Sequence, residues 1–274
     1  GTKCWEGLRA VNPKAGKVSQ IAQSAGKSYA YLLGVYLGDG SIFKVEGKYP
    51  AFRMNTIDKD FADAVKCALD EISGYTTWIG KPKQDKRFSQ SRPLYHLKCS
   101  IPKDLHERMD KDTATKTAIP SWMCHDASIE EKHAFIVGLM DSEGYVAENR
   151  SSHTNRRFFM GFKVCDPWIY TFKLLLESCG IKTNKVRSEK PRKEWYKTPR
   201  VFTIKMQSWI DRGLRFNIKR KNDRVDTWAS APAYAQRKLN PRRLTSETTR
   251  SAPVKGDDIV RSGGESARGV EKSA

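Results

Sequence analysis

The sequence predicts an α+β protein made of two pseudo-symmetric αββαββα halves, and three observations predict it. First, two apolar segments about a hundred residues apart, 32–40 (LLGVYLGDG) and 136–144 (IVGLMDSEG), each carry small residues at four-residue spacing, then an acid, then a glycine. Second, each is followed by a matched strand pattern, 52–58 (FRMNTID) and 160–166 (MGFKVCD). A helical pattern comes after each strand, with Phe61, Val65, Leu69 and Ile72 in the first copy and Ile169, Phe172, Leu176 and Cys179 in the second. Third, 95–99 (YHLKC) is matched by 202–206 (FTIKM). Self-similarity in register from about residue 27 to 216 reads as an internal duplication.

Taken in order, residues 1–26 are polar, basic and rich in Gly and Ala, and read as an N-terminal arm. The first helix is expected over about 28–39 with Ser28 as its N-cap. Strands follow near 42–48 and 50–56, a helix near 58–73, strands near 76–83 and 93–100, and a short helix near 102–109. This first half, 27–110, passes into a linker over 111–127 that contains Asp, Thr, Lys and Pro120. Ser128-Ile129-Glu130-Glu131 is a capping box that opens the second apolar helix. Strands near 145–150 and 157–164, a helix over 167–179, strands over 182–189 and 200–206 and a helix over 207–216 complete the second half, 128–228. Residues 229–274 turn to Ser, Ala, Gly, Pro and charge, and read as a basic, disordered tail.

The pairs Gly34/Gly38 and Gly138/Ser142 each fall on one helix face, and small-xxx-small spacing lets two backbones approach closely. Gly40 and Gly144 are placed where a helix ends on a left-handed residue. Asp39 and Glu143 then sit at helix C-termini, where the macrodipole is already negative and an acid is unfavourable by about 0.3–1 kcal/mol unless a cation is near. Two such acids on helices built to pack together suggest paired carboxylates that share divalent metal.

The chain of 274 residues holds 50 Lys and Arg against 31 Asp and Glu, a formal net charge of +19. A balance that basic points to a polyanion, nucleic acid before membrane surface. No apolar stretch reaches membrane-spanning length, and no secretory signal opens the chain. The six cysteines (4, 67, 99, 124, 165 and 179) show no CxxC pair and are read as free thiols in an intracellular, reducing compartment. The five histidines show no zinc spacing, and there is no Walker loop, GxSxG or GxGxxG.

With these motifs and flanks in hand, the chain resembles the LAGLIDADG homing endonucleases in their two-motif, single-chain form. The resemblance implies saddle-shaped antiparallel sheets over double-stranded DNA and a monomer. It implies Mg²⁺, with Mn²⁺ able to substitute, held by Asp39 and Glu143 with Gly38 and Ser142 beside them. It implies a basic residue near the scissile phosphate, matched by Lys98 and Lys205, and a polar residue that orders solvent, matched by Asn55 and Lys163. Asp141 faces Leu37 in the other copy and is read as structural. The implied activity is a staggered double-strand break in a long asymmetric target, as in intron homing. Alternatives on the same fold are a maturase for group I intron RNA and a non-cleaving DNA-binding regulator. Since the chain neither starts with a nucleophile nor ends in His-Asn, an intron-encoded or free-standing enzyme is expected rather than an intein.

A recognition surface completes the reading. The first half offers Lys44, Lys48, Arg53, Lys81, Lys83, Lys86, Arg87 and Arg92. The second half offers Arg150, Arg156, Arg157, Lys182, Lys185, Arg187, Lys190, Arg192, Lys193, Lys197 and Arg200. Such side chains read base edges or hold phosphates, and more than half of protein–DNA contacts go to the backbone.

Overall fold

Apolar residues on every side of α1 (Gly26–Leu37) leave it no polar face, so the helix must be enclosed; every residue from Tyr29 to Leu37 is buried. The same holds for α5 (Ile129–Ser142), buried from Ala134 to Asp141. These two helices pack against each other at the centre, and the rest of each half is built around one of them. The computed structural model describes residues 26–44, 49–84, 93–152, 155–190 and 197–231.

In the first half β1 (Ser41–Phe43) and β2 (Ala51–Thr56) lead to α2 (Lys59–Ser73), then β3 (Trp78–Ile79), β4 (Lys83–Gln84), β5 (Pro93–Ser100) and α3 (Lys103–Asp112). A short helix α4 (Ser121–His125) precedes α5. The second half runs β6 (Gly144–Ser152), β7 (Asn155–Val164), α6 (Ile169–Ser178), β8 (Arg187–Ser188), β9 (Arg200–Ile204), α7 (Met206–Asp211) and α8 (Lys219–Ala229). Both sheets are antiparallel and share one order, β1-β2-β5-β3 in the first half and β6-β7-β9-β8 in the second. The fold is therefore α+β in two equivalent halves. Phe52, Leu97, Phe162 and Phe202 turn inward from the sheets, while Arg53, Asn55 and Lys98 stay on the open face, as strand alternation requires.

Several local expectations are corrected. Ser28 lies inside α1 and donates its hydroxyl to Glu71 at 2.6 Å, so it is not the N-cap. The capping box at Ser128 and Glu131 is formed in both directions. Gly40 and Gly144 are not left-handed. They are needed for space, because a Cβ at Gly40 would stand 2.6 Å from the Phe52 ring and one at Gly144 2.5 Å from the Met140 carbonyl oxygen.

The helix expected over 207–216 ends early, since Gly213 turns the chain at φ 67. No clear apolar period announces α8 in the sequence. Its buried stripe is Lys221, Val225 and Trp228, helical spacing with a lysine where an apolar residue signals a helix. Between α3 and α4 the backbone makes a left-handed turn at Ala114, Thr115 and Lys116, with φ of 44, 54 and 68. Cys99, Cys124, Cys165 and Cys179 are free thiols, but Cys67 is disulfide-bonded. It sits beside the buried stripe of α2 rather than in it. Among the described residues no helix is long and apolar enough to cross a membrane.

Candidate metal and nucleic-acid site

The seam between α1 and α5 is set by its small residues. A Cβ at Gly34 would lie 2.4 Å from the Phe135 carbonyl oxygen, and one at Gly138 would lie 2.2 Å from that of Tyr31. At the end of the seam a Cβ at Gly38 would meet Ser142 Cβ at 2.5 Å and Glu143 Cγ at 3.2 Å. Backbones this close bring the residues just beyond, Asp39 and Glu143, to one place. Asp39 keeps access to solvent and Glu143 is half-buried.

Their electrostatics follow from that position. Burial pushes Glu143 up to about 7, and the neighbouring Asp39 carboxylate adds to the shift. The protein packed around Asp39 raises it as well, against the pull of Lys221 and Lys116. Two like charges held this close, one of them half-buried, favour a cation between them.

Two lysines serve these acids, and neither was singled out in the sequence. Lys116 Nζ donates to the carbonyl oxygens of Gly38 at 3.0 Å and Gly40 at 2.8 Å, just past the end of α1. Lys221 Nζ donates to those of Met140 at 2.8 Å and Asp141 at 2.7 Å, at the end of α5. Each cation satisfies open carbonyls at a negative helix terminus. Lys116 follows Asp39 by 77 residues and Lys221 follows Glu143 by 78, so the pair belongs to the duplication. The spacing was a usable signal, hidden because the turn at 114–116 falls in the expected linker and the α8 segment carried no element assignment. Burial lowers both, Lys221 to about 8.

The halves also exchange contacts. Asp58, before α2, takes Arg220 of α8 in a two-pronged contact at 2.6 and 2.8 Å. Its equivalent Asp166, before α6, acts electrostatically on Lys116 and Glu143. Asp141 is 2% exposed, accepts from Tyr31 Oη at 3.2 Å and Asn217 Nδ2 at 2.9 Å, and is pushed up to about 7 by burial.

Asn55 joins Asp39, Asp58, Asp141 and Lys221 in lining a cleft of about 450 Å³. Its carboxamide oxygen lies 2.7 Å from His96 Nδ1. Lys163, by contrast, is committed to Glu189 at 2.5 Å on the exposed sheet. Lys98 stands on the open face of β5, opposite Arg53 on one side and Trp78 on the other, and exposed Lys205 precedes α7. The cations that act electrostatically on both Asp39 and Glu143 are Lys116 and Lys221. The Gly38 carbonyl is engaged by Lys116, and Ser142 Oγ donates back to the Gly138 carbonyl oxygen at 3.0 Å.

Of the recognition residues, Lys44, Arg53, Lys81, Lys182, Lys185, Arg187, Lys190 and Lys197 are exposed. Arg53 lies with its guanidinium 4.4 Å over the Phe43 ring. Arg200 is half-buried and donates to the Cys165 carbonyl oxygen at 2.9 Å, which makes it a structural contact. Lys83, Arg150, Arg156 and Arg157 are placed on strands β4, β6 and β7. Lys48, Lys86, Arg87, Arg92, Arg192 and Lys193 lie outside the described residues.

Among the described residues no three His, Cys, Asp or Glu side chains gather as a metal cage. Two carboxylates fit a hard cation of the Mg²⁺ kind, which is held by one or two carboxylates while phosphate and water complete its shell.

No protein-family model matches the chain. It is 30% identical over 141 residues to an uncharacterized protein of Methanocaldococcus jannaschii, a match covering 51% of this chain and 46% of that protein. The chain thus matches less than half the length of that curated relative. Solved structures to which it is similar include mesophilic variants of the homing endonuclease I-DmoI, at 17% identity and a TM-score of 0.44, covering 68% of this chain and 88% of that one. The homing endonuclease I-WcaI bound to its DNA recognition sequence is 9% identical with a TM-score of 0.47, covering 77% and 94%. Full-length DUF199/WhiA from Thermatoga maritima is 11% identical with a TM-score of 0.46, covering 83% and 66%. The site itself presents two carboxylates at equivalent, packed helix ends, each helix end held by its own lysine.

Proposed function

We propose that the protein is a site-specific endonuclease that hydrolyses one phosphodiester on each strand of double-stranded DNA, with Mg²⁺ (or Mn²⁺) held by Asp39 and Glu143. The observation that carries this reading is the meeting of those two acids at the α1–α5 seam of a strongly basic chain. When bound, the cation would polarise phosphate oxygens and lower the pKa of an attacking water.

The chain's own residues do the rest. The glycine seam holds the two carboxylates within each other's field, so that each half contributes one acid. Lys116 and Lys221 place positive charge beside the position where negative charge builds on the phosphate. Asn55, on the wall of the cleft, offers a donor and an acceptor that can orient water. Arg53, Lys98 and the exposed lysines of both halves hold the duplex, mainly through its backbone. Because one chain supplies both acids, a monomer is sufficient. The role we attach to such a break is intron homing.

The test is cleavage of a large DNA pool with and without Mg²⁺, followed by sequencing of the ends, with Asp39→Asn and Glu143→Gln alongside. Discrete staggered ends that need both the metal and the two acids would support the reading. Tight duplex binding without cuts would replace the endonuclease with a regulator. Preference for structured intron RNA would replace it with a maturase.

A further inference from the structure

A matching row of residues crosses the open face of each sheet, and the two rows differ in chemistry. In the first half Ser41 pairs with Arg53, Arg53 with Lys98 and Lys98 with Trp78. In the second half Tyr145 pairs with Gly161 and Gly161 with Thr203. Asn184 completes that row by donating its backbone N–H to the Thr203 carbonyl oxygen at 2.8 Å. Ser41 and Tyr145 each follow the motif glycine of their half, so the rows correspond. Residues opposite one another on antiparallel strands stand on the same face. Where the first row offers Lys98 and Trp78, the second offers Thr203 and Asn184, with Asn184 Nδ2 donating to Thr203 Oγ1 at 2.5 Å.

Trp78 is 61% exposed. Its neighbour Ile79 packs against the core, so alternation turns the indole to the open face. The ring lies over Gly80, where an added Cβ would stand 2.4 Å from the indole Cη2. The Gly80 N–H is itself tied to the His96 carbonyl oxygen at 2.9 Å. An indole seated on paired backbone is held in place while most of its surface stays free. Cations on the helices are taken by acids four residues along, Lys59 by Asp63, Lys66 by Asp70 and Lys173 by Glu177. Among the described residues no acid pairs with Arg53 or Lys98, and both are exposed.

The occupant that suits an aromatic surface beside two unpaired cations is a polyanion with an apolar spot. In a DNA duplex the base faces are hidden by stacking. The base edges in the major groove are donors and acceptors, except where a pyrimidine carries a C5 methyl group. We infer that Trp78 is a specificity-determining residue that packs on such a methyl, of thymine or 5-methylcytosine, in the half-site under the first sheet. Arg53 and Lys98 hold the backbone beside it. The second half presents an amide and a hydroxyl at the corresponding point, so the two half-sites are read there by unlike chemistry. The inference rests on the duplex-binding part of the proposed function.

The experiment uses the full chain and a randomised duplex pool selected for binding in EDTA, so that recovery does not depend on cleavage. Each thymine of the recovered duplex is then replaced in turn by deoxyuridine, which lacks only the methyl. Wild type should lose about fourfold in affinity at one position, the worth of one buried methyl group. Trp78→Ala should bind the thymine duplex at least about tenfold more weakly and no longer distinguish thymine from deoxyuridine there. Trp78→Phe should keep the distinction. Cytosine against 5-methylcytosine at that position should show the same step of about fourfold. With 5-iodouracil in place of that thymine, irradiation should cross-link the DNA to Trp78, located by mass spectrometry. The cross-link needs only the wild-type protein, so it decides even if the alanine variant does not fold. Indifference of the wild type to every deoxyuridine, a distinction that survives in Trp78→Ala, or a cross-link elsewhere would overturn the inference and leave the indole a cover for Gly80. Failure to recover any duplex would instead overturn the DNA reading itself.

Discussion

Lys221 Nζ donates to the carbonyl oxygen of Asp141 at 2.7 Å across 80 positions of sequence. That contact ties the last helix of the second half to the end of its central helix, and it places a buried cation beside the acid pair. Lys116 makes the equivalent connection to Gly38 and Gly40 in the first half. Four expectations follow from this arrangement.

The seam tolerates no added carbon at its centre. The obstacles at Gly34 and Gly138 are backbone atoms, at 2.4 and 2.2 Å from an added Cβ, so the helices themselves must part. Gly34→Ala and Gly138→Ala should each cost about 1–3 kcal/mol, read as a lower urea midpoint at unchanged slope. Cleavage should fall further than stability does, because Asp39 and Glu143 move apart. An unchanged midpoint in both variants would mean that the helices do not pack this closely in solution.

Lys98 and Lys205 should prove dispensable for chemistry. Lys98→Ala is expected to weaken DNA binding and to lower the salt slope of log Kd by about 1, the signature of one lost phosphate contact. Single-turnover cleavage at saturating enzyme should stay near wild type in both Lys98→Ala and Lys205→Ala. A large loss of the chemical rate with affinity intact would return those lysines to the catalytic centre.

Stability should depend on pH through Glu143. Its ordinary value is 4.5, and in the folded, metal-free protein it rises to about 7. Between those values the folded state holds a proton that the unfolded chain has released, so stability falls as pH rises through this window and levels off above it. Thermal melts of wild type and Glu143→Gln should therefore converge toward pH 5 and diverge toward pH 7, the wild type losing ground. Mg²⁺ should raise the wild-type Tm more at pH 8 than at pH 6, since the cation takes the ionised acid. Parallel pH curves for the two proteins would exclude a raised Glu143.

The Asp58–Arg220 contact should couple the halves. Asp58 is 12% exposed and Arg220 46% by side chain, with donors at 2.6 and 2.8 Å. A double-mutant cycle of Asp58→Ala and Arg220→Ala is expected to give about 1 kcal/mol of coupling. Both single variants should also slow cleavage, since Lys221 is the next residue along α8. A coupling near zero would show that packing of Val225 and Trp228 alone seats this helix.

Much of the molecule was legible from residue order because its signals are local. Apolar periodicity placed α2 within a residue of Lys59–Ser73, and the Ser128 capping box marked the start of α5. The repeated small-small-acid-glycine pattern identified the two helices that must meet and the two acids at their ends. Duplication supplied the element order of each half twice over, while the strand order within each sheet came from the structure. What misled were residues whose role depends on partners far along the chain. Lys98 and Lys205 matched in sequence, yet Lys98 stands within β5 while Lys205 falls just past the end of β9. Lys221 carries no local signal, because a lysine does not announce burial, yet it is buried.

The sequence by itself therefore determined the two-half α+β plan and the acids Asp39 and Glu143, because helix period, capping and glycine spacing act over a few residues. Only the tertiary structure decided which cations stand beside those acids, why Asp141 is structural, and how Asp58 of one half grips Arg220 of the other. Those relationships depend on the left-handed turn at 114–116 and on the docking of α8, where burial and pairing across as many as 162 positions set the energy, and no local pattern encodes them.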